Sequence, residues 1–88
     1  VVERLMSLYK VYILKSLKNN RHYIGVTSDL TDRIKRHNGG QNPSTKSGCP
    51  WRLIYTEDYL DKQSAWQRER QIKRYKGGGA FKRLVVDR

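Results

Sequence analysis

The chain holds one cysteine, one methionine, one phenylalanine and two prolines, and sets eight acidic residues against nineteen lysines and arginines. Each shortage closes off a class of protein. Cys49 cannot form an internal disulfide, and with no second cysteine near it is a poor zinc ligand, which fits a reducing compartment. No apolar run reaches the about 18 residues of a membrane span, and the N-terminus lacks the apolar core of a signal peptide. The expectation is a cytoplasmic protein without a membrane partner.

The shortage of acid leaves a formal charge of +11 over 88 residues. Such a density attracts phosphate polymers through counterion release, so nucleic acid is the expected partner, DNA first and RNA not excluded. A surface that is basic only for solubility is the bland alternative. Self-repulsion at this charge favours a monomer, and neither main helix pairs a wholly apolar face with a lysine-rich one, as a membrane-surface helix would. A hydrophobic content of 36%, with six tyrosines and two tryptophans, supplies one modest core without staples. Residues 1–6 have no helical or strand period and read as an extension or cloning remnant before a single domain over 7–88.

Tyr9 to Leu17 carries apolar residues on both parities, the mark of a strand covered on both faces. Arg21 to Thr27 is its partner. A two-residue Asn19-Asn20 turn would set Lys18 opposite Arg21 and place Tyr12, Leu14, Tyr23 and Gly25 on one face. In that register the two tyrosines stand four residues apart, roughly 13 Å, with Gly25 an empty place between them. Ser28 or Asp29 then caps a helix that Gly39-Gly40 ends, with Leu30, Ile34 and His37 inward and Arg33 at the stripe's edge.

Gln41 to Pro50 is a loop too long for a tight connection, and a candidate substrate-contacting segment. Trp51 to Tyr59 alternates as a third strand. Asp61 caps a helix running to Lys76, with Ala65, Glu69, Ile72 and Lys76 on one stripe and Trp66 and Tyr75 beside it. Ala80 to Val86 reads as a short closing helix with Phe81, Leu84 and Val85 inward. The fold class is α+β, a small three-stranded, mainly antiparallel sheet flanked by about three helices.

A carboxylate on an apolar stripe costs several kcal/mol to desolvate unless it is paired or holds a cation. Glu69 therefore bridges Lys73 at i+4 or Arg68 beside it, or serves as a single-carboxylate site for a divalent metal shared with a phosphate. Arg33 reads equally as a solvated base or a site residue, and His37 as a core-edge histidine or a site residue. Strand tyrosines are usually packing.

The segments Lys10-Val11-Tyr12 and Tyr23-Ile24-Gly25, with ten residues between the tyrosines, resemble the paired signature of the GIY-YIG nuclease family. Lys10 and Val11 stand where the family name has Gly and Ile. Arg33 and His37 match the family's Arg-x-x-x-His, and Glu69 within Arg68-Glu69-Arg70-Gln71-Ile72-Lys73 matches its helical glutamate. The short loop, Ser44-Thr45-Lys46 before Pro50-Trp51, and Tyr75-Lys76-Gly77 most resemble small stand-alone members related to the nuclease domain of the bacterial excision-repair endonuclease. The asparagine that many members carry after the glutamate helix has no counterpart, since no Asn follows Asn42.

The resemblance implies cleavage of a DNA phosphodiester bond with one divalent metal, Mg²⁺ or Mn²⁺, in repair or recombination near the nucleoid. It implies catalytic roles for Tyr12, Tyr23, Arg33, His37 and Glu69. Tyr12 would be the base or position the water, supported by Tyr23, with positive charge from Arg33 and His37 bringing its phenol toward neutrality. Arg33 would bind the phosphate, His37 would orient the water or share the base role, and Glu69 would hold the metal, one of whose waters protonates the leaving group. Arg33, Arg36, Lys46, Arg52 and Lys73 are the expected nucleic-acid contacts, and a partner protein is a candidate source of targeting. The alternatives are a binding module of the same fold without turnover, which the altered first triplet and the absent asparagine favour, and a basic structural protein of a ribonucleoprotein.

Overall fold

The structure, a computed structural model, describes residues 8–75 and 78–86, so the extension expected over 1–6 lies outside the described residues. Its order is β1 (Tyr9–Ser16), β2 (His22–Thr27), α1 (Leu30–Asn38), a 3₁₀ turn at Lys46–Gly48, β3 (Trp51–Tyr59), α2 (Lys62–Tyr75) and α3 (Gly79–Val85). The sheet is antiparallel with strand order β2-β1-β3, so β1 is central and buried on both faces, as its two-parity apolar pattern requires.

The hairpin differs from expectation in register. Lys15 pairs with His22, Leu14 with Tyr23 and Tyr12 with Gly25, two residues away from the register of an Asn19-Asn20 turn. Ser16 is the reason. Its hydroxyl accepts from the backbone N–H groups of Lys18 and Asn19, its carbonyl accepts from Asn20, and its own N–H donates to Arg21. Those bonds close the strands at Ser16 and leave Leu17 to Asn20 as a four-residue loop. Asn20 takes the left-handed conformation there, at φ 63°. Because a slip of two keeps side-chain parity, the facing set survives while the spacing changes.

One face of the sheet packs Val11, Ile13, Ile24 and Ile54 against Ala65 and Ile72 of α2 and Phe81 of α3. The other packs Tyr12, Leu14 and Trp51 against Leu30 and Ile34 of α1. A bulge in β3, where Ile13 faces Tyr55 but Leu14 faces Leu53, turns both Ile54 and Tyr55 toward the first face. Asp29 caps α1 by accepting from the Asp32 N–H, and Asp61 does the same for α2 through Ser64. Trp66, beside the buried stripe of α2, is 49% exposed under the Lys62 ammonium; Lys76 lies outside the described residues.

A polar knot ties α2 to β3. Glu57 accepts from Arg68 Nε at 2.8 Å and Nη2 at 2.9 Å, from Tyr59 Oη at 2.6 Å and from Tyr55 Oη. Burial alone would raise the Glu57 carboxyl, but these hydrogen bonds and the guanidinium charge outweigh it and bring it down to about 2 from an ordinary 4.5. Burial and the neighbouring carboxylate push the Tyr59 phenol up to about 12. A carboxyl depressed by folding adds stability above its unfolded value and loses it as pH falls through the folded one. The Glu57 contribution is therefore complete above 4.5 and disappears between 4.5 and about 2. Replacing Arg68 by Met is expected to cost about 2 kcal/mol, a fall of about 10 °C in a thermal melt. Glu57→Gln should flatten the loss of melting temperature in that acid window, measured by circular dichroism.

Candidate active site

Tyr12 lies on the central strand directly opposite Gly25. A Cβ built at Gly25 would stand 2.6 Å from Tyr12 Oη and 2.7 Å from Cζ, so the ring occupies the space that any other residue's side chain would need. The place read as empty from the sequence is filled by the first tyrosine. With the shorter offset the Tyr12 and Tyr23 ring centroids are 6.2 Å apart.

From that position the Tyr12 phenol reaches His37 Nε2 at 3.0 Å, and His37 Nδ1 is 2.8 Å from Thr45 Oγ1. With the Thr45 hydroxyl proton on the Asn42 carbonyl, 3.4 Å away, Thr45 accepts from Nδ1–H and Nε2 accepts from the phenol; with that proton on Nδ1 the two roles reverse. Tyr12 and His37 are wholly buried and Thr45 nearly so. Tyr23 closes the side of the chain, its ring 4.7 Å from His37 and 6.4 Å from Trp51.

The loop that supplies Thr45 is held from below. Trp51 Nε1 donates to the Thr45 carbonyl at 2.8 Å, and Asn38 at the end of α1 exchanges two bonds with the Trp51 backbone. Gly48 lies flat on the indole, where a Cβ would come within 2.4 Å of Cζ2. The Cys49 thiol donates to the His37 carbonyl at 2.8 Å, which gives the lone cysteine a packing role.

Electrostatics set the protonation states. Burial pushes the Tyr12 phenol well above its ordinary value and the neighbouring Tyr23 adds to this; the charge and hydrogen bond of Arg33 lower it only in part, and Glu69 raises it again. This corrects the expectation that positive charge would bring Tyr12 toward neutrality. Sequence counts charges but not burial, and burial is the larger effect. His37 moves the other way, lowered first by burial and then by Arg33, so at neutral pH a neutral imidazole faces a neutral phenol.

Tyr12, Tyr23 and His37 are thus in direct contact, Arg33 acts on both Tyr12 and His37, and the Glu69 charge reaches Tyr12. The Glu69 side chain, 20% exposed, pairs with Lys73 at 3.2 Å, the i+4 bridge that helical spacing offered. Arg36 pairs with Asp32 at 2.9 Å and shares with Arg33, Gln41 and Pro43 a recess of about 220 Å³ next to the site. Lys46 is exposed in the 3₁₀ turn, its stem against Gly40. Arg52 faces Lys15 across the strands, on the α2 and α3 side of the sheet, away from α1.

Among the described residues no group of three or more His, Cys, Asp or Glu side chains is arranged to hold a metal ion. Glu69 is a single, partly buried carboxylate. That donor suits a hard divalent ion that keeps most of its waters and takes a further oxygen from a phosphate, and it does not suit zinc.

Thr45, Asn38 and Gly48 escaped sequence reasoning. A threonine inside a polar loop carries no periodic signal; the length of Gln41 to Pro50 and the resemblance of Ser44-Thr45-Lys46 pointed to the loop, but not to the Thr45 bond with His37.

The family model described as the GIY-YIG catalytic domain matches residues 8–80. UPF0213 protein SH2523 of Staphylococcus haemolyticus is 38% identical over 71 residues, covering 80% of this chain and 85% of its own. UPF0213 protein CPE1444 of Clostridium perfringens is 42% identical over 65 residues, covering 73% and 69%. The solution structure of UPF0213 protein BH0048 from Bacillus halodurans is 28% identical and covers 91% of this chain and 97% of its own, at a TM-score of 0.47.

Replacing Gly25 by Ala forces the Tyr12 ring off β2 and the phenol away from His37. The expected cost is about 2 kcal/mol, a fall of about 10 °C in a thermal melt, with loss of near-ultraviolet tyrosine ellipticity. A variant that melts like the native chain would show that the close approach is not maintained.

Proposed function

The chain belongs to the GIY-YIG family, a nuclease family, and from that premise we propose that it is a divalent-metal-dependent endonuclease that hydrolyses DNA phosphodiester bonds. The observation that carries the proposal is the buried pair of Tyr12 and His37, a proton donor and a neutral acceptor 3.0 Å apart with the Arg33 guanidinium beside them.

A phenol held above its ordinary range is a poor base alone but a good relay. As water attacks phosphorus, it gives a proton to the Tyr12 oxygen while the Tyr12 O–H passes its own to His37 Nε2. The Nδ1–H bond to Thr45 stabilises the imidazolium so formed, and His37 later releases the proton to solvent. Arg33, with planar donors matched to phosphate oxygens, leaves the phenol for the scissile phosphate and carries its growing charge. Removing that cation from the phenol and imidazole makes His37 a stronger acceptor at the moment substrate binds. Tyr23 packs against both partners and fixes their angle. The 3′ oxygen departs on the side opposite the water and is protonated from solvent.

Glu69 would hold the divalent ion, which when bound supplies charge neutralisation at the phosphate. Lys73 then exchanges its carboxylate partner for the DNA backbone, as does Arg36, and the exposed Lys46 contacts it from the loop that follows α1. A monomer acting on DNA at the nucleoid, in repair or recombination, follows from the same reading with the charge of +11. Among the described residues no helix is long and apolar enough to cross a membrane.

A second reading, a nucleic-acid-binding module without turnover, is favoured by the full burial of Tyr12 and by the engagement of Glu69 with Lys73. Plasmid nicking with Mg²⁺ or Mn²⁺ separates the two. Tyr12→Phe and Glu69→Ala are each expected to slow nicking by about 100-fold or more while DNA binding in EDTA is retained. Wild-type rates in both variants would contradict the assignment. A native protein that binds DNA and never nicks it, with either metal, would favour the second reading.

A further inference from the structure

Helix α2 carries one large aromatic side chain that the core does not take up. Trp66 is 49% exposed, with the Lys62 ammonium 4.9 Å from the centre of its ring. A single exposed apolar residue is ordinary on a protein surface. Its place on the helix is what gives this one weight. Lys62, Trp66, Glu69 and Lys73 follow one another at i, i+4, i+7 and i+11, so they form one stripe beside the buried line of Ala65 and Ile72.

The stripe leads into the candidate site. Glu69 pairs with Lys73 at 3.2 Å, and its charge reaches Tyr12. At a rise of about 1.5 Å per residue, Trp66 stands about 4.5 Å along the helix axis from Glu69, close to the roughly 3.4 Å that separates successive phosphates of one strand. Lys62 and Lys73 border the pair, about 16 Å apart on the same scale. The face is cationic. Lys62, Arg70 and Lys73 are exposed, and Asp61, the acidic residue at the same end, is turned back onto Ser64 as the helix cap.

We infer that Trp66 is a substrate-contacting residue: its indole packs against the sugar and base edge about one nucleotide from the phosphate that Glu69 addresses, while Lys62 and Lys73 take backbone phosphates to either side. The inference rests on the nucleic-acid reading of the Tyr12–His37 site. Lys62 moves from the indole face to a phosphate, which frees the ring for the sugar. An apolar contact of this kind adds affinity without neutralising a phosphate, so its contribution does not depend on salt, whereas that of the lysines does.

The test uses the whole protein in EDTA, so that cleavage plays no part in the readout, and follows the binding of a labelled short DNA duplex by fluorescence anisotropy over a range of salt. Trp66→Gln is expected to bind about ten-fold more weakly at every salt concentration, leaving the slope of log affinity against log salt unchanged. Lys62→Gln should instead reduce that slope by about one. Trp66→Phe, which keeps an apolar ring, should restore most of the affinity. A second measurement needs no substitution. Trp51 is buried, so acrylamide quenching of the native fluorescence reports Trp66, and saturating duplex should suppress it. Native affinity in Trp66→Gln, or an indole that stays as open to acrylamide with duplex as without, overturns the inference. So does shielding that grows with protein concentration in the absence of DNA, the sign of a second copy on this face. A duplex that is nicked normally by Trp66→Gln and bound with native affinity defeats the inference and leaves the nuclease reading standing. Trp66-dependent binding in a protein that never nicks DNA does the reverse.

Discussion

The passage of the Tyr12 ring across Gly25 governs the rest of the architecture. It carries a phenol from the buried central strand to the last turn of α1, where His37 waits, and His37 in turn reaches Thr45 in the loop beyond. One hydrogen-bonded chain thereby joins strand, helix and loop. Each member is buried, and leaving a buried polar group without a partner costs about 1–3 kcal/mol. Among the described residues every buried side-chain nitrogen and oxygen has a partner, so the three segments are held in place together. The long loop is consequently as fixed at Thr45 as the helix it follows.

A second polar centre on the other face of the sheet works independently. The four bonds accepted by Glu57 clamp Arg68, and so fix the rotation of α2 about its axis. Glu69 is the next residue along, and its orientation follows from its neighbour's. In the proposed reaction the two centres divide the labour: one would organise proton transfer on the α1 side, the other would present a carboxylate from α2, and both would meet at the phosphate.

Much of this was legible in the residues because it depends on local chemistry. Asp29 and Asp61 announce the helix starts, two-parity burial marks β1 as central, and the facing set of Tyr12, Leu14, Tyr23 and Gly25 survives because strand parity survives a slip of two. The register itself was not legible. Asn19-Asn20 signals a tight turn, whereas the hydroxyl of Ser16 closes the hairpin earlier. Nor did the sequence reveal the Glu57 knot or the bond between Thr45 and His37, since both arise from contacts between separate segments. The ionisation of Tyr12 was misread for the same reason: the arginine is visible in the sequence, and the enclosure that outweighs it is not.

The account turns on His37 being a neutral acceptor whose proton sits on Nδ1. Nitrogen-15 NMR of the imidazole, followed as pH is lowered, measures this directly. The prediction is an Nδ1–H tautomer at neutral pH, protonating only below the ordinary value of 6.5 and losing the coupling to Tyr12 in the Tyr12→Phe variant. A proton on Nε2, or an imidazolium that persists at neutral pH, would contradict the relay.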